Sequence, residues 1–220
     1  MDAIDCIKTR MSIRKFKTDP VPQDVLMQVI ETAQWSPSYK NSQPWEVVVL
    51  SGAKKKALSE MMLGLLDSGK ENCPDIAAPE SWPPAENARI ADLFKKRKEV
   101  SGIDLSDPKV VFVAKKANFN FYAAPHAIYL LQDASLSQWS LFDLGIFAQS
   151  LMLAAHAHGL GTVPQAFATD YAQDVKKFLG IPESKRLVLG ISIGYPDMDS
   201  PANAFRTDRS DTDEIVTWME

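Results

Sequence analysis

Along residues 21–35, VPQDVLMQVIETAQW, apolar side chains return at Val25, Leu26, Val29, Ile30 and Ala33, the spacing of one helix face. Pro22 and Asp24 suit its first turn. The same reading predicts a short helix over 2–10, a surface helix over 52–69 and a charged helix from roughly 86 to 100. From about 139 to 158 the polar face nearly vanishes, which predicts the central helix of a large core or of a subunit interface. Residues 170–180 close the helical set, with Gly180 as C-cap and Pro182 just beyond.

β-Branched runs predict strands at 46–50 (EVVVL), 109–115 (KVVFVAK) and 127–132 (AIYLLQ), with a short strand in GLGTVPQAF and the longest in RLVLGISIGYP. Residues 72–86 carry Pro74, Pro79, Pro83 and Pro84 and read as an irregular excursion, so the stretch near 72–100 is a candidate lid. From Asp197 onward the tail is polar and irregular. Strands and helices are interspersed without strict alternation. The expected fold is therefore α+β, one domain over 1–220, with a central, mainly antiparallel sheet sandwiched by helices.

Composition narrows the function. The 220 residues carry a net charge of −4, and the basic run Lys95-Lys96-Arg97-Lys98 reads as a solvated helix face, so no nucleic-acid partner is expected. Residues 140–161 approach bilayer length, but Asp143, Gln149, His156 and His158 interrupt them; the core reading is preferred and no membrane partner is expected. Cys6 and Cys73 form no CxxC pair, and MDAIDCIKTR lacks an apolar signal core, so a reducing cytoplasm fits. Neither GxGxxG, GxxxxGK[ST] nor GxSxG occurs. His156 and His158 diverge on a helix, His126 reads as structural, and no metal site is expected.

What remains is arginine and loops. In RMSIR, an extended backbone projects Arg10, Ser12 and Arg14 to one side, a receptor for a phosphate or a polar heterocycle; surface salt bridges are the alternative. NAFRTDRSD places Arg206 and Arg209 in the tail, which can fold back to complete such a site. In PSYKNSQPWEVV, Pro37 and Pro44 stiffen a loop whose Ser38, Asn41, Tyr39 and Trp45 suit a wall for a polyol and a ring, or a merely structural loop.

Together, RMSIRKF followed by SPSYKNSQPWEVVVL, GLGTVPQAF after a long apolar helix, and ANAFRTDR near the C-terminus resemble the FMN-dependent nitroreductase family, across essentially the whole chain and in the right order. The resemblance implies a homodimer with two FMN sites at the subunit interface. It assigns Arg10, Met11 and Ser12, with Arg206 and Arg209, to the phosphate end, and Arg14 to the flavin's pyrimidine edge. Pro37, Ser38, Tyr39 and Asn41 come from the partner chain, while Pro164, Gln165 and Ala166 line the other side of the ring. It further implies NAD(P)H as donor, a small-molecule electron acceptor of nitroaromatic or quinone type, ping-pong turnover at flavin N5, and no side chain acting as an obvious acid or base. Tyr39, Phe121, Tyr122 and Trp139 are candidate pocket walls; the last three are equally well explained as core. Rival readings keep the scaffold as a flavin or enone reductase, or make it a non-enzymatic flavin-binding protein.

Overall fold

The structure is a computed structural model that describes residues 2–220. Helix α1 (Ala3–Thr9) and helix α2 (Gln23–Ala33) precede strand β1 (Glu46–Ser51) and helix α3 (Gly52–Asp67). Helices α4 (Pro84–Ser101) and α5 (Pro108–Phe119) follow, then β2 (His126–Asp133), α6 (Trp139–Ala157), β3 (Gly161–Gln165), α7 (Ala172–Leu179) and β4 (Lys185–Gly194). The sheet order is β1-β2-β4-β3 and every pairing is antiparallel, as the sequence predicts.

Strand β2 shows how the sheet divides the core. Ile128 and Leu130 face one cluster with α2 and α6, while Ala127, Tyr129 and Leu131 face a second with α3 and α7. That is the period-two alternation of a strand covered on both faces. Helix α6 fills the first cluster with Leu144, Phe147 and Leu151, and Phe147 stacks on Trp45 at 4.8 Å between ring centroids. By length and composition α6 is long and apolar enough to cross a membrane, yet 50% of its apolar window is buried inside the fold.

One predicted strand is a helix. Residues 109–115 belong to α5, where Asp107 caps the first turn by accepting Lys109 N–H at 2.8 Å and Pro108 occupies the first helical position. Val111, Phe112 and Val113 are exposed, so the β-branched run has no sheet to enter and the capped start prevails over strand propensity. The excursion is rooted firmly: the Asp75 carboxylate accepts from Lys176 Nζ at 2.8 and 3.0 Å and from Leu187 N–H at 2.8 Å. Beyond that root, α4 runs 18 residues with no fully buried side chain.

His126 bridges two neighbouring segments. Its Nε2 accepts Val21 N–H at 2.9 Å, which leaves Nδ1 to donate to Ser51 Oγ at 2.5 Å. Burial, and then the Lys55 ammonium, pushes its pKa below the usual value of 6.5. An unfolded His126 therefore binds a proton more readily than the folded one, so this contribution is complete above about pH 6.5 and is lost as pH falls. Urea unfolding between pH 7.5 and 5.5 should show stability falling on acidification, with a steepest slope from this one residue of about 1.4 kcal/mol per pH unit. His126→Gln should be less stable at pH 7.5 and show a shallower slope; an unchanged slope contradicts the assignment.

Candidate functional site

The site begins where the N-terminal segment joins the sheet edge. Arg10 ends α1, its N–H bonding Cys6 O at 3.1 Å. The chain then extends along β3: Ser12 forms a parallel bridge with Thr162, and Ile13 N–H donates to Thr162 O at 2.9 Å. Ile13 turns inward to Phe16, Ala124 and Val163, with Met11 and Tyr122 packed against them. Arg10, Ser12 and Arg14 stay half-buried on the other side, as alternation requires. The join is close because residue 161 is glycine: a β-carbon there would stand 2.6 Å from Ile13 Cγ1.

The C-terminal tail is clamped onto the same segment by Asn203, which is 2% exposed. Its Oδ1 accepts Arg14 N–H at 2.7 Å, and its Nδ2 donates to Lys15 O and Asp197 O, both at 2.8 Å. The clamp brings residues 205–209 against residues 7–14. Between them lies a cavity of about 320 Å³ whose charged lining is Lys8, Arg10, Arg14, Arg206 and Arg209. Ser12 and Thr207 add hydroxyls, Met11 and Phe205 add apolar wall, and among the described residues no carboxylate lines it.

The electrostatics call for an anion. Arg10 Nη1 is buried without a hydrogen-bond partner among the described residues. Burial, followed by repulsion from Arg209 and Arg206, lowers the pKa of Arg10. The same two influences, burial and then Arg10 with Arg206, lower that of His156, whose Nε2 lies 2.8 Å from Thr9 Oγ1. Desolvated like charges with an unspent donor are costly until a multivalent oxyanion enters. A phosphate monoester, with up to two charges and several acceptor oxygens, fits this donor set.

The other candidate residues divide into three groups. Pro37, Ser38, Tyr39 and Asn41 form an exposed to half-buried loop on the other end of α6, where Tyr39 N–H donates to Asp143 Oδ1 at 3.1 Å. Lys40, Asn41 and Gln43 hold positive φ (53°, 56° and 45°), and Ser38 Oγ accepts Gln43 N–H at 2.9 Å. Such backbone is costly for non-glycine residues and persists where surroundings impose it. Asp143 and His156 stand about 20 Å apart along α6, at ~1.5 Å per residue. Within one chain, therefore, this loop and the arginine cavity lie at opposite ends of one helix.

Pro164 on β3 and Ala166 just after it are exposed while Gln165 is 2% exposed. The Gln165 side chain is spent inward: Nε2 donates to Asn118 O at 2.9 Å and Oε1 meets the Ser192 hydroxyl. Phe121 is fully buried, edge-on to Tyr129 at 6.1 Å, which makes it core and not a pocket wall. Tyr122 is half-buried beside Met11, in a turn where Phe121, Tyr122 and Ala123 all take positive φ (51°, 51° and 57°). Trp139 is 69% exposed at the start of α6, its ring 5.6 Å from that of Phe142.

Sequence reasoning missed Asn203, Gly161 and Arg97. Asn203 lies within the ANAFRTDR stretch, and nothing local distinguishes a clamp from a tail asparagine. Arg97 is half-buried on α4, not part of a solvated face. Among the described residues no group of three His, Cys, Asp or Glu could hold a metal ion. Asn203→Ala strands Arg14 N–H and two carbonyls and should cost about 1–3 kcal/mol in urea unfolding. Gly161→Ala should cost a similar amount by forcing Ile13 away, about 1–3 kcal/mol. If either variant unfolds like the wild type, the join it tests does not hold the cavity together.

Comparison with known proteins agrees with this architecture. The family model "Nitroreductase family" matches residues 7–195. The chain is 30% identical over 221 residues to a 4-nitrobenzoate reductase of Pseudomonas putida, covering 97% of this chain and 93% of that protein. It is 33% identical over 215 residues to nitroreductase NfnB of Mycolicibacterium smegmatis, covering 96% and 90%. The crystal structure of the FMN-dependent nitroreductase NfnB from Mycobacterium smegmatis in complex with NADPH superposes with a TM-score of 0.93 at 32% identity, covering 99% of this chain and 98% of that one. The matched region includes both the RMSIR segment and the strained loop before β1, and the chain belongs to the nitroreductase family.

Proposed function

We propose that the protein is a homodimeric FMN-dependent oxidoreductase that reduces small nitroaromatic or quinone-type acceptors with NAD(P)H in the cytoplasm. The observation that carries this reading is the carboxylate-free arginine cavity with its unspent Arg10 donor. Relatives are titled as FMN-dependent and NADPH-complexed, or as reductases of 4-nitrobenzoate, which supports the same cofactor pair and acceptor class here.

FMN, when held here, would supply the redox chemistry, two-electron transfer from NAD(P)H to an acceptor. The chain's residues supply position and charge. Arg10, Ser12, Arg206 and Arg209 hold the phosphate. Arg14, its backbone fixed by Asn203, keeps a cation at the pyrimidine edge, where added electron density is stabilised. Pro164 on β3 and Ala166 just beyond it, both exposed, offer one wall of the ring site, and the inward hydrogen bonds of Gln165 keep that strand rigid. Donor and acceptor use the same opening in turn, which fits the absence of any nicotinamide-binding motif in the sequence.

A second copy completes the site. The strained loop holding Pro37, Ser38, Tyr39 and Asn41 is anchored at Asp143, about 20 Å along α6 from His156 at the cavity end of the helix, too far to share one flavin ring with the cavity of its own chain. Between the two ends, α6 exposes Phe142 (68%) and Ile146 (40%) around a shallow groove that also includes Leu141 and Gly145. An apolar helix face of this kind calls for a partner. Two copies joined there bring the loop of each to the cavity of the other. Residues 72–100, rooted by Asp75 and carrying α4, cover the same end of the molecule as a lid.

Two measurements check the reading. Removing one charge-assisted phosphate contact typically costs about 1.5–3 kcal/mol, roughly 10- to 150-fold in affinity. Flavin-fluorescence titration should therefore give Arg10→Ala an FMN Kd at least about tenfold weaker, with further loss on adding Arg206→Ala or Arg209→Ala. If all three variants retain wild-type affinity, the phosphate end is misplaced. Arg14→Ala should keep flavin but shift its midpoint potential to more negative values; an unchanged potential removes Arg14 from the pyrimidine edge.

A further inference from the structure

The middle lysine of the run Lys54-Lys55-Lys56 occupies a core position. Helix α3 buries Lys55, Leu58, Ser59 and Met62, the i, i+3, i+4, i+7 stripe of one face. Lys55 is 9% exposed and, among the described residues, forms no ion pair, whereas Lys56 meets Glu60 at 3.8 Å in the open. A buried ammonium without a carboxylate is costly, and it persists where another interaction demands it.

That interaction is with the turn between α5 and β2. Lys55 Nζ donates to Ala124 O at 2.5 Å and stands 5.7 Å from the centre of the Phe121 ring. Ser59, one turn along the same face, donates to Phe119 O at 2.9 Å. From β4 the Ser192 hydroxyl reaches Phe121 O at 3.0 Å. Three buried side chains thus grip carbonyls around residues 121–123, which all hold positive φ. Left-handed backbone in non-glycine residues is ordinarily confined to single positions, so a run of three is imposed by its surroundings.

The turn sorts its own side chains. Phe121 is fully buried, Ala123 is exposed, and Tyr122 is half-buried between them. Tyr122 packs against the cluster of Ile13, Phe16, Ala124 and Val163, and Met11 packs against the same cluster. Met11 lines the arginine cavity, and Val163 precedes the exposed Pro164 on β3. Tyr122 therefore stands at the border between the phosphate end and the wall of the ring site.

We infer that Lys55, although it does not line the arginine cavity, is a positioning residue for acceptor reduction: it holds the 121–123 turn so that Tyr122 closes the flavin site between Met11 and Pro164. The inference rests on the oxidoreductase reading above and adds a residue that acts from behind the wall. An apolar side chain at position 55 would fill the core without desolvating a charge. What the ammonium adds is a directed, charge-assisted grip on Ala124 O.

A double-mutant cycle on the FMN-loaded protein tests this, with nitrobenzene as acceptor. Wild type, Lys55→Met, Tyr122→Ala and the double variant are compared at equal flavin loading, checked by absorbance. Lys55→Met should lower kcat/KM by about three- to tenfold, part of the weight of one charge-assisted hydrogen bond. In the Tyr122→Ala background the same substitution should change kcat/KM by less than about 1.5-fold, because the side chain it positions is gone. Lys55→Arg, which keeps the charge and the donor, should recover part of the loss. Equal losses in both backgrounds, or no loss in either, overturn the inference. If Lys55→Met fails to load flavin, Ser192→Ala takes its place in the cycle with the same expectations.

Ala123→Gly tests the strain without touching the core. Glycine adopts positive φ freely, so this variant should unfold at the wild-type urea concentration or a higher one. A lower midpoint shows that the turn is not held under strain and overturns the inference. A wild type that reduces nitrobenzene while the cycle shows no coupling defeats the Lys55 inference alone. A wild type that reduces neither nitrobenzene nor a benzoquinone defeats the oxidoreductase reading with it.

Discussion

The arginine cavity depends on one short stretch of backbone pairing, Ser12 and Ile13 against Thr162 at the edge of the sheet. That pairing fixes which side chains turn inward, because alternation along an extended chain leaves no choice once Ile13 is buried. Arg10, Ser12 and Arg14 must then share the opposite side. The glycine at 161 permits the approach and Asn203 ties the tail to the same strand, so three segments distant in sequence meet at one place. The core supports this indirectly: α6 carries the pieces at its two ends and spends its middle on packing against the sheet.

Energetically the cavity is an unfinished interaction. Among the described residues, five basic side chains converge with no carboxylate among them, and a buried guanidinium nitrogen has no partner. Folding tolerates this because the packing of two apolar clusters around the sheet far outweighs it. The strain in the two positive-φ turns, Lys40 to Gln43 and Phe121 to Ala123, is sustained in the same way. Repulsion and strain thus concentrate where a ligand and a second subunit would relieve them.

Much of this was legible from residues alone. The alternation in RMSIR gave the shared side of Arg10, Ser12 and Arg14, and the apolar run at 139–158 gave the core helix. Residues 109–115 misled because β-branched composition looks the same on an exposed helix as in a strand; the deciding Asp107 cap and Pro108 lay just outside the run. Phe121 could not be assigned from sequence, since burial against Tyr129 depends on the turn that precedes β2. Lys96 and Arg97 were hidden inside a basic run, and only the placement of α4 separates them from the exposed Lys95 and Lys98. Asn203 carries no local signal, because its three partners come from Arg14, Lys15 and Asp197.

The most direct test of the central claim is an anaerobic visible spectrum of the purified protein before and after NADH, then NADPH. A flavin absorption band that bleaches in one two-electron step is the expected result, and the donor that bleaches it faster is the preferred one. A protein that stays colourless after incubation with FMN would contradict the flavin assignment, and a yellow protein that neither donor bleaches would contradict the oxidoreductase assignment.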